Sequence, residues 1–121
     1  MAQTYKRLGA ITSSGVIGTA DILYTCNVTA AIASTIAICN AASTSATYRI
    51  CVSTTTAFPT GNGTTTGTNY YTGYLAFGGT VNANDTVFLT VGTTLDLTNK
   101  YLLVSASAAT VAFSVSGVEI S

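Results

Sequence analysis

Histidine and tryptophan are both missing from this 121-residue chain, proline occurs once, and charge is sparse: Lys plus Arg number 4, Asp plus Glu 4. Without histidine the chain lacks the commonest general base and the commonest metal ligand, so Ser/His/Asp and Cys/His catalysis are excluded. Charged residues make up 7% of the sequence, against roughly 25% in an ordinary soluble domain. A formal net charge of zero leaves no field to gather nucleic acid or an acidic substrate, and no nucleic-acid partner is expected. Met1 to Ala10 holds Lys6 and Arg7 but no sustained apolar run of the signal-peptide kind, so synthesis in the cytoplasm is expected. The charge-free interval Ile22 to Tyr48 is long enough to raise a membrane span, yet Asn27, Asn40 and many hydroxyl side chains interrupt it, and none is expected. The three cysteines, Cys26, Cys39 and Cys51, cannot all pair within one chain and lack CxxC spacing. They read as small packing thiols.

What is present is apolar and hydroxyl-rich: 48% of the residues are hydrophobic, and the surface must be covered mainly by Thr, Ser, Asn and Gly. The length suits one core. Residues 1–20 read as an arm or first edge strand and residues 21–121 as a single β-sandwich domain. Ala31 to Val52 is the most strongly patterned stretch. Ile36 and Ile38, then Tyr48 and Ile50, fall at alternate positions on either side of the polar turn Ala41 to Ser45. A hairpin in which Asn40 faces Ala46 sets Ile38 opposite Tyr48 and Ile36 opposite Ile50, and a one-residue slip destroys that apolar face. Further strands are expected at Asp21 to Cys26, Tyr70 to Phe77 (closed by Gly78 and Gly79), Thr86 to Val91, Lys100 to Ala106 and Val111 to Ile120. In the third of these, Val87, Leu89 and Val91 alternate inward and Phe88 points out. Gly92 to Asn99 reads as a connector that tucks Leu95 and Leu97 under the sandwich edge and leaves Asp96 and Asn99 wet. Within the last strand Gly117 marks an apparent flip of parity, which a β-bulge would explain. Seven or eight short strands with Gly and Asn turns and no convincing helix indicate an all-β antiparallel β-sandwich or jelly roll.

No constellation of side chains carries chemistry. Asp21, Asp85, Asp96 and Glu119 fall in four separate segments. Asp85 and Asp96 could meet at one end of the sandwich around Ca²⁺, but turn formation accounts for both more simply. The Gly61-Asn-Gly63-Thr-Thr-Thr-Gly67 run lacks the Gly-Lys-Ser/Thr ending of a phosphate loop and reads as part of a long Thr/Gly loop from Ser53 to Asn69. The sequons at Asn27, Asn62 and Asn84 are of the kind an Asn- and Thr-rich chain generates by chance. Tyr70, Tyr71, Tyr74 and Phe77 could stack on sugars, although β propensity alone explains them. An enzyme is not expected, nor any cofactor or metal.

Leu23-Tyr-Thr25, Ile36-Ala-Ile-Cys-Asn40, Ala46-Thr-Tyr-Arg-Ile50, Ala83-Asn-Asp-Thr86 with Leu89-Thr90 and Gly92, and the closing Gly117-Val-Glu-Ile120 together resemble small virion structural proteins of tailed phages, especially those of cyanobacteria. The likeness spans Ile22 to Ile120 and rests on strand and turn signatures, so it transfers no catalytic residue. It implies a β-sandwich component of a virus particle, found in the virion. The expected role is a capsid decoration or cement subunit bridging major capsid proteins, with a neck, tail or fibre subunit and a carbohydrate- or receptor-binding sandwich as alternatives. The expected partners are the major capsid protein or other virion proteins, together with further copies of the chain as a homo-oligomer within the particle. Lys6 and Arg7, Phe58, Asn62 and Thr65 in the Phe58 to Thr68 loop, and outward Phe88 are the expected contact residues.

Overall fold

The computed structural model describes residues 3–56 and 74–121. Its eight elements are all strands: β1 Gln3–Thr12, β2 Asp21–Thr25, β3 Ala30–Asn40, β4 Ala46–Ser53, β5 Tyr74–Val81, β6 Asp85–Asp96, β7 Tyr101–Ala106 and β8 Val111–Ile120. They form two four-stranded sheets, sheet A in the order β1-β8-β3-β6 and sheet B in the order β2-β7-β4-β5. Every ladder is antiparallel. The pairs β1·β8, β2·β7, β3·β6 and β4·β5 are the nested rungs of one long ribbon folded back at the β4–β5 connection. Rolling that ribbon up brings β3 beside β8 and β4 beside β7. This is a jelly roll.

The winding corrects the expected β3–β4 hairpin. β3 and β4 lie in opposite sheets, so Ile36 pairs with Val115 and Leu89, Ile38 with Phe113 and Val87, and Asn40 with Val111 and Asp85. On β4, Tyr48 pairs with Ala106 and Gly79, and Ile50 with Val104 and Ala76. The apolar faces themselves are as expected: Ile36, Ile38, Tyr48 and Ile50 are all buried in the common core with Phe113, Val115, Leu102 and Val104. Alternation with period two determines which side of a strand is buried, and that requirement is met equally by two strands facing each other across a sandwich.

Bulges set the shape of the sandwich. Ser34 is an extra residue on β3 opposite the Ser116–Gly117 step of β8, and Leu8 is an extra residue on β1 beside the same stretch. On β3 the buried positions accordingly change from Ala31 and Ala33 to Ile36 and Ile38. β8 itself keeps its period, with Gly117 buried, so the irregularity expected at Gly117 belongs to its neighbours. A Cβ on Gly117 would lie 1.9 Å from the Ile32 carbonyl oxygen, and one on Gly9 would lie 2.0 Å from the Leu23 carbonyl oxygen. Leu23 is itself the extra residue of a bulge on β2. Gly9 thus closes the β1 edge of sheet A onto sheet B, at a point where any side chain would collide with backbone.

β5 and β6 run further than expected. β5 continues through Gly78 and Gly79 to Val81, because the Tyr48 ring covers Gly79 so closely that a Cβ there would lie 2.5 Å from the ring. β6 continues to Asp96, absorbing Val91 and Gly92 as extra residues opposite Ser34, with Gly92 at a φ of +57°. Leu95 therefore reaches the core as a strand residue, whereas Leu97 is 60% exposed rather than tucked in. The connection Ser13 to Ala20 lies against sheet B. The Ser13 hydroxyl oxygen accepts from the amides of Ala106 (3.2 Å) and Gly15 (3.0 Å), and the Gly18 amide donates to Ser105 Oγ (3.4 Å).

Candidate functional site

Three polar clusters are candidates for chemistry, and each is engaged in holding strands or loops together. The first surrounds Asn40, fully buried at the end of β3. Its Nδ2 donates to the carbonyls of Thr44 (2.8 Å), Val81 (3.4 Å) and Asn82 (3.4 Å), while its Oδ1 accepts from the Ala42 amide (3.1 Å) and the Thr110 hydroxyl (3.3 Å). One amide side chain thereby stitches together the β3–β4, β5–β6 and β7–β8 connections. In the sequence Asn40 is only the residue that precedes the Ala41 to Ser45 turn, and nothing local signals this role, since its partners lie up to 70 residues away.

The second cluster joins both sheets. The Tyr24 hydroxyl on β2 donates to Glu119 Oε2 on β8, and Lys6 Nζ on β1 lies 2.8 Å from Glu119 Oε1. Hydrogen bonds from Lys6 and then Tyr24 hold the Glu119 carboxyl below its usual range. Burial, reinforced by the neighbouring carboxylate, pushes the Tyr24 phenol well above its usual value. A carboxylate so saturated with donors is poorly suited to take a proton. The third cluster is the turn after β6, where Asp96 Oδ1 accepts from the amides of Thr98 (2.8 Å) and Asn99 (2.7 Å). Those bonds, Asn99 first, lower the Asp96 carboxyl. Asp85 and Asp96 occupy opposite ends of β6 and do not share a site. No group of three or more His, Cys, Asp or Glu side chains converges among the described residues.

Of the aromatics that could stack on sugars, Tyr74 and Phe77 are also engaged within the fold. The Tyr74 and Phe77 rings meet edge-to-face at 4.9 Å, and the Arg49 guanidinium lies 4.2 Å over the Phe77 ring. Tyr74, Tyr101 and Ala20 cover Cys51 and Leu103 on the outer side of sheet B, and burial pushes the Cys51 thiol up to about 11. Tyr70 and Tyr71 lie outside the described residues, as do Phe58, Asn62 and Thr65.

The outer face of sheet A is different in kind. Its outward rungs follow from the register: Tyr5, Val118, Ile32 and Thr94; then Arg7, Ser116, Thr35 and Thr90; then Ala10, Ser114, Ala37 and Phe88; then Thr12, Ala112, Cys39 and Thr86. The middle strands carry mostly small or hydroxyl side chains, while Tyr5 and Phe88 stand 68% and 69% exposed on the two edge strands. Small residues at Ala10, Ala37, Ala112 and Ser114 leave a shallow depression of about 300 Å³. Cys39 lies in it and is the exposed thiol, Cys26 and Cys51 being buried. Of the expected contact residues, Arg7 and Phe88 share this face, on opposite edges. Lys6 points to the other side of β1 and is tied to Glu119. The depression escapes a reading along the sequence because its small residues come from β1, β3 and β8.

No protein-family model matches the chain, and no curated protein is similar to it in sequence.

Proposed function

We propose that the chain is a non-enzymatic structural subunit of a tailed-phage particle, a decoration or cement protein that binds the head and bridges neighbouring major capsid proteins. The observation that carries this reading is the outer face of sheet A: broad, almost free of charge, lined by small side chains and flanked by two exposed aromatic rings. Such a face is suited to flat, close packing against protein, and aromatic anchors of this kind supply much of the binding energy in protein interfaces. The polar clusters at Asn40 and Glu119 serve the fold, which favours a binding module over a catalyst. Jelly rolls recur in capsid proteins and in lectins, so the architecture is compatible with the role without implying it. The resemblance of the strand and turn motifs to those of virion proteins supports the virion reading among the compatible roles. A sugar-binding platform has less support, since Tyr74 and Phe77 already pack on each other and on Arg49.

Mass spectrometry of heads and tails, separated from particles of the virus encoding the chain, tests the proposal. Recovery with heads in a copy number proportional to the major capsid protein is expected. Absence from heads contradicts the capsid role, and recovery with tails alone would reassign the chain to the neck, tail or fibre.

A further inference from the structure

We infer that the outer face of sheet A takes a second copy of this chain, each copy placing its Phe88 on the other's depression. The inference rests on reading this face as an interface, but not on residence in a virus particle. Phe88 on edge strand β6 shares one rung with Ala37, Ser114 and Ala10, the last on the opposite edge strand β1. A two-fold axis parallel to the strands, running between β8 and β3, exchanges β1 with the other copy's β6 and leaves every rung at its own height. Each Phe88 then comes down over the other copy's Ala10, at the rim of the depression. The knob and the hole lie on the same rung of one face, so the contact is made twice and closes on itself, as an isologous interface requires.

Charge is compatible with the same arrangement. Arg7 stands on this face of β1, while exposed Asp96 lies on the same side of β6. The exchange of edges sets the strand bearing Arg7 against the other copy's strand bearing Asp96. The area is adequate for a modest affinity. Four strands at about 4.8 Å spacing and about ten residues at 3.3 Å give a projected face of roughly 600 Å². The relief of Tyr5 and Phe88 brings this towards the roughly 800 Å² per partner of a standard interface. Sheet B does not offer an equivalent face, because the Ser13 to Ala20 connection and Tyr101 already cover part of it.

The test uses the purified full chain in sedimentation velocity across a micromolar concentration series, with maleimide labelling of exposed Cys39 as a second readout. A monomer–dimer equilibrium is expected, with Cys39 labelling slowing as concentration rises. Phe88→Asp, which removes the knob, and Ser114→Tyr, which fills the hole, are each expected to weaken association roughly tenfold or more, as for loss of an interface anchor. Thr47→Arg on the outer side of sheet B should leave association unchanged. Circular dichroism establishes that each variant is folded. A dimer that persists in both Phe88→Asp and Ser114→Tyr overturns the inference. So does a wild-type chain that stays monomeric while Phe88→Asp abolishes its binding to phage heads, an outcome that keeps the interface and assigns it to another protein. A monomer whose head binding ignores Phe88→Asp removes both the inference and the interface reading.

Discussion

Replacing Asn40 tests whether one buried amide holds three loops at one end of the jelly roll. In Asn40→Ala the well-formed bonds to the Thr44 carbonyl (2.8 Å) and from the Ala42 amide (3.1 Å) disappear, along with the Thr110 contact (3.3 Å). Each of the three bonds contributes about 1 kcal/mol net, and leaving the partly buried Thr44 carbonyl and Ala42 amide without this partner brings the total to roughly 3–5 kcal/mol. For a chain of this length that corresponds to a fall in Tm of roughly 10–20 °C. Asn40→Asp separates this account from a mere loss of packing volume. The carboxylate can still accept from Ala42 and Thr110, but its second oxygen faces the three carbonyls to which Nδ2 donated. Asn40→Asp is therefore expected to cost more than Asn40→Ala at neutral pH. Burial without a cation raises such a carboxyl above its unfolded pKa, so the favourable contribution is complete below about pH 4 and is lost as pH rises through the folded value. Acidification should accordingly narrow the gap between Asn40→Asp and wild type, as the protonated carboxyl can donate to Thr44. Urea denaturation at neutral and acid pH measures both effects. An aspartate tolerated better than alanine at neutral pH would refute the reasoning.

Two further outcomes follow from the packing and the electrostatics. Gly9→Ala and Gly117→Ala each force a Cβ to about 2 Å from a carbonyl oxygen, and urea denaturation should find both far more destabilising than Gly92→Ala, where the left-handed φ alone costs about 1–2 kcal/mol. Equal losses at the three glycines would mean that the strands do not approach as described. Glu119 has a depressed folded pKa, so its contribution is present above the unfolded value near 4.5 and is lost as pH falls through the folded one. Tyr24 has a raised folded pKa, so its contribution is present below about pH 10 and is lost as pH rises. Glu119→Gln should flatten the acid limb of a Tm–pH profile and Tyr24→Phe the alkaline limb, and unchanged limbs would contradict the Tyr24–Glu119–Lys6 linkage.

The sequence disclosed faces better than neighbours. Ile36, Ile38, Tyr48 and Ile50 could be assigned to the core, and Phe88 to the surface, because alternation with period two records burial residue by residue. Pairing was hidden, because in a jelly roll β1 joins β8 and β2 joins β7, whereas strands adjacent in sequence, such as β3 and β4, are carried to opposite sheets. Bulges blurred the reading further. Gly92 looked like the start of a connector, yet it is an extra residue inside β6, and the apparent flip at Gly117 is unbroken alternation that puts Val118 on the outer face, the extra residues being Ser34 and Leu8 on the strands beside it. Of the candidate contacts, Arg7 and Phe88 prove to share a face, while Lys6 is drawn to Glu119, a partner more than a hundred residues away in the chain. The depression between Ala10, Ala37 and Ser114 had no local signature, since small residues in separate strands become a surface feature only once β1, β8 and β3 are aligned.

The most direct test of the central claim, that this jelly roll is a structural subunit acting through the outer face of sheet A, is a high-resolution reconstruction of the virus particle. The expected result is ordered density for the eight-stranded fold on the head, with Phe88 and the Ala10–Ser114 depression covered by protein. A particle without the chain, or one that carries it with that face bare to solvent, would contradict the account.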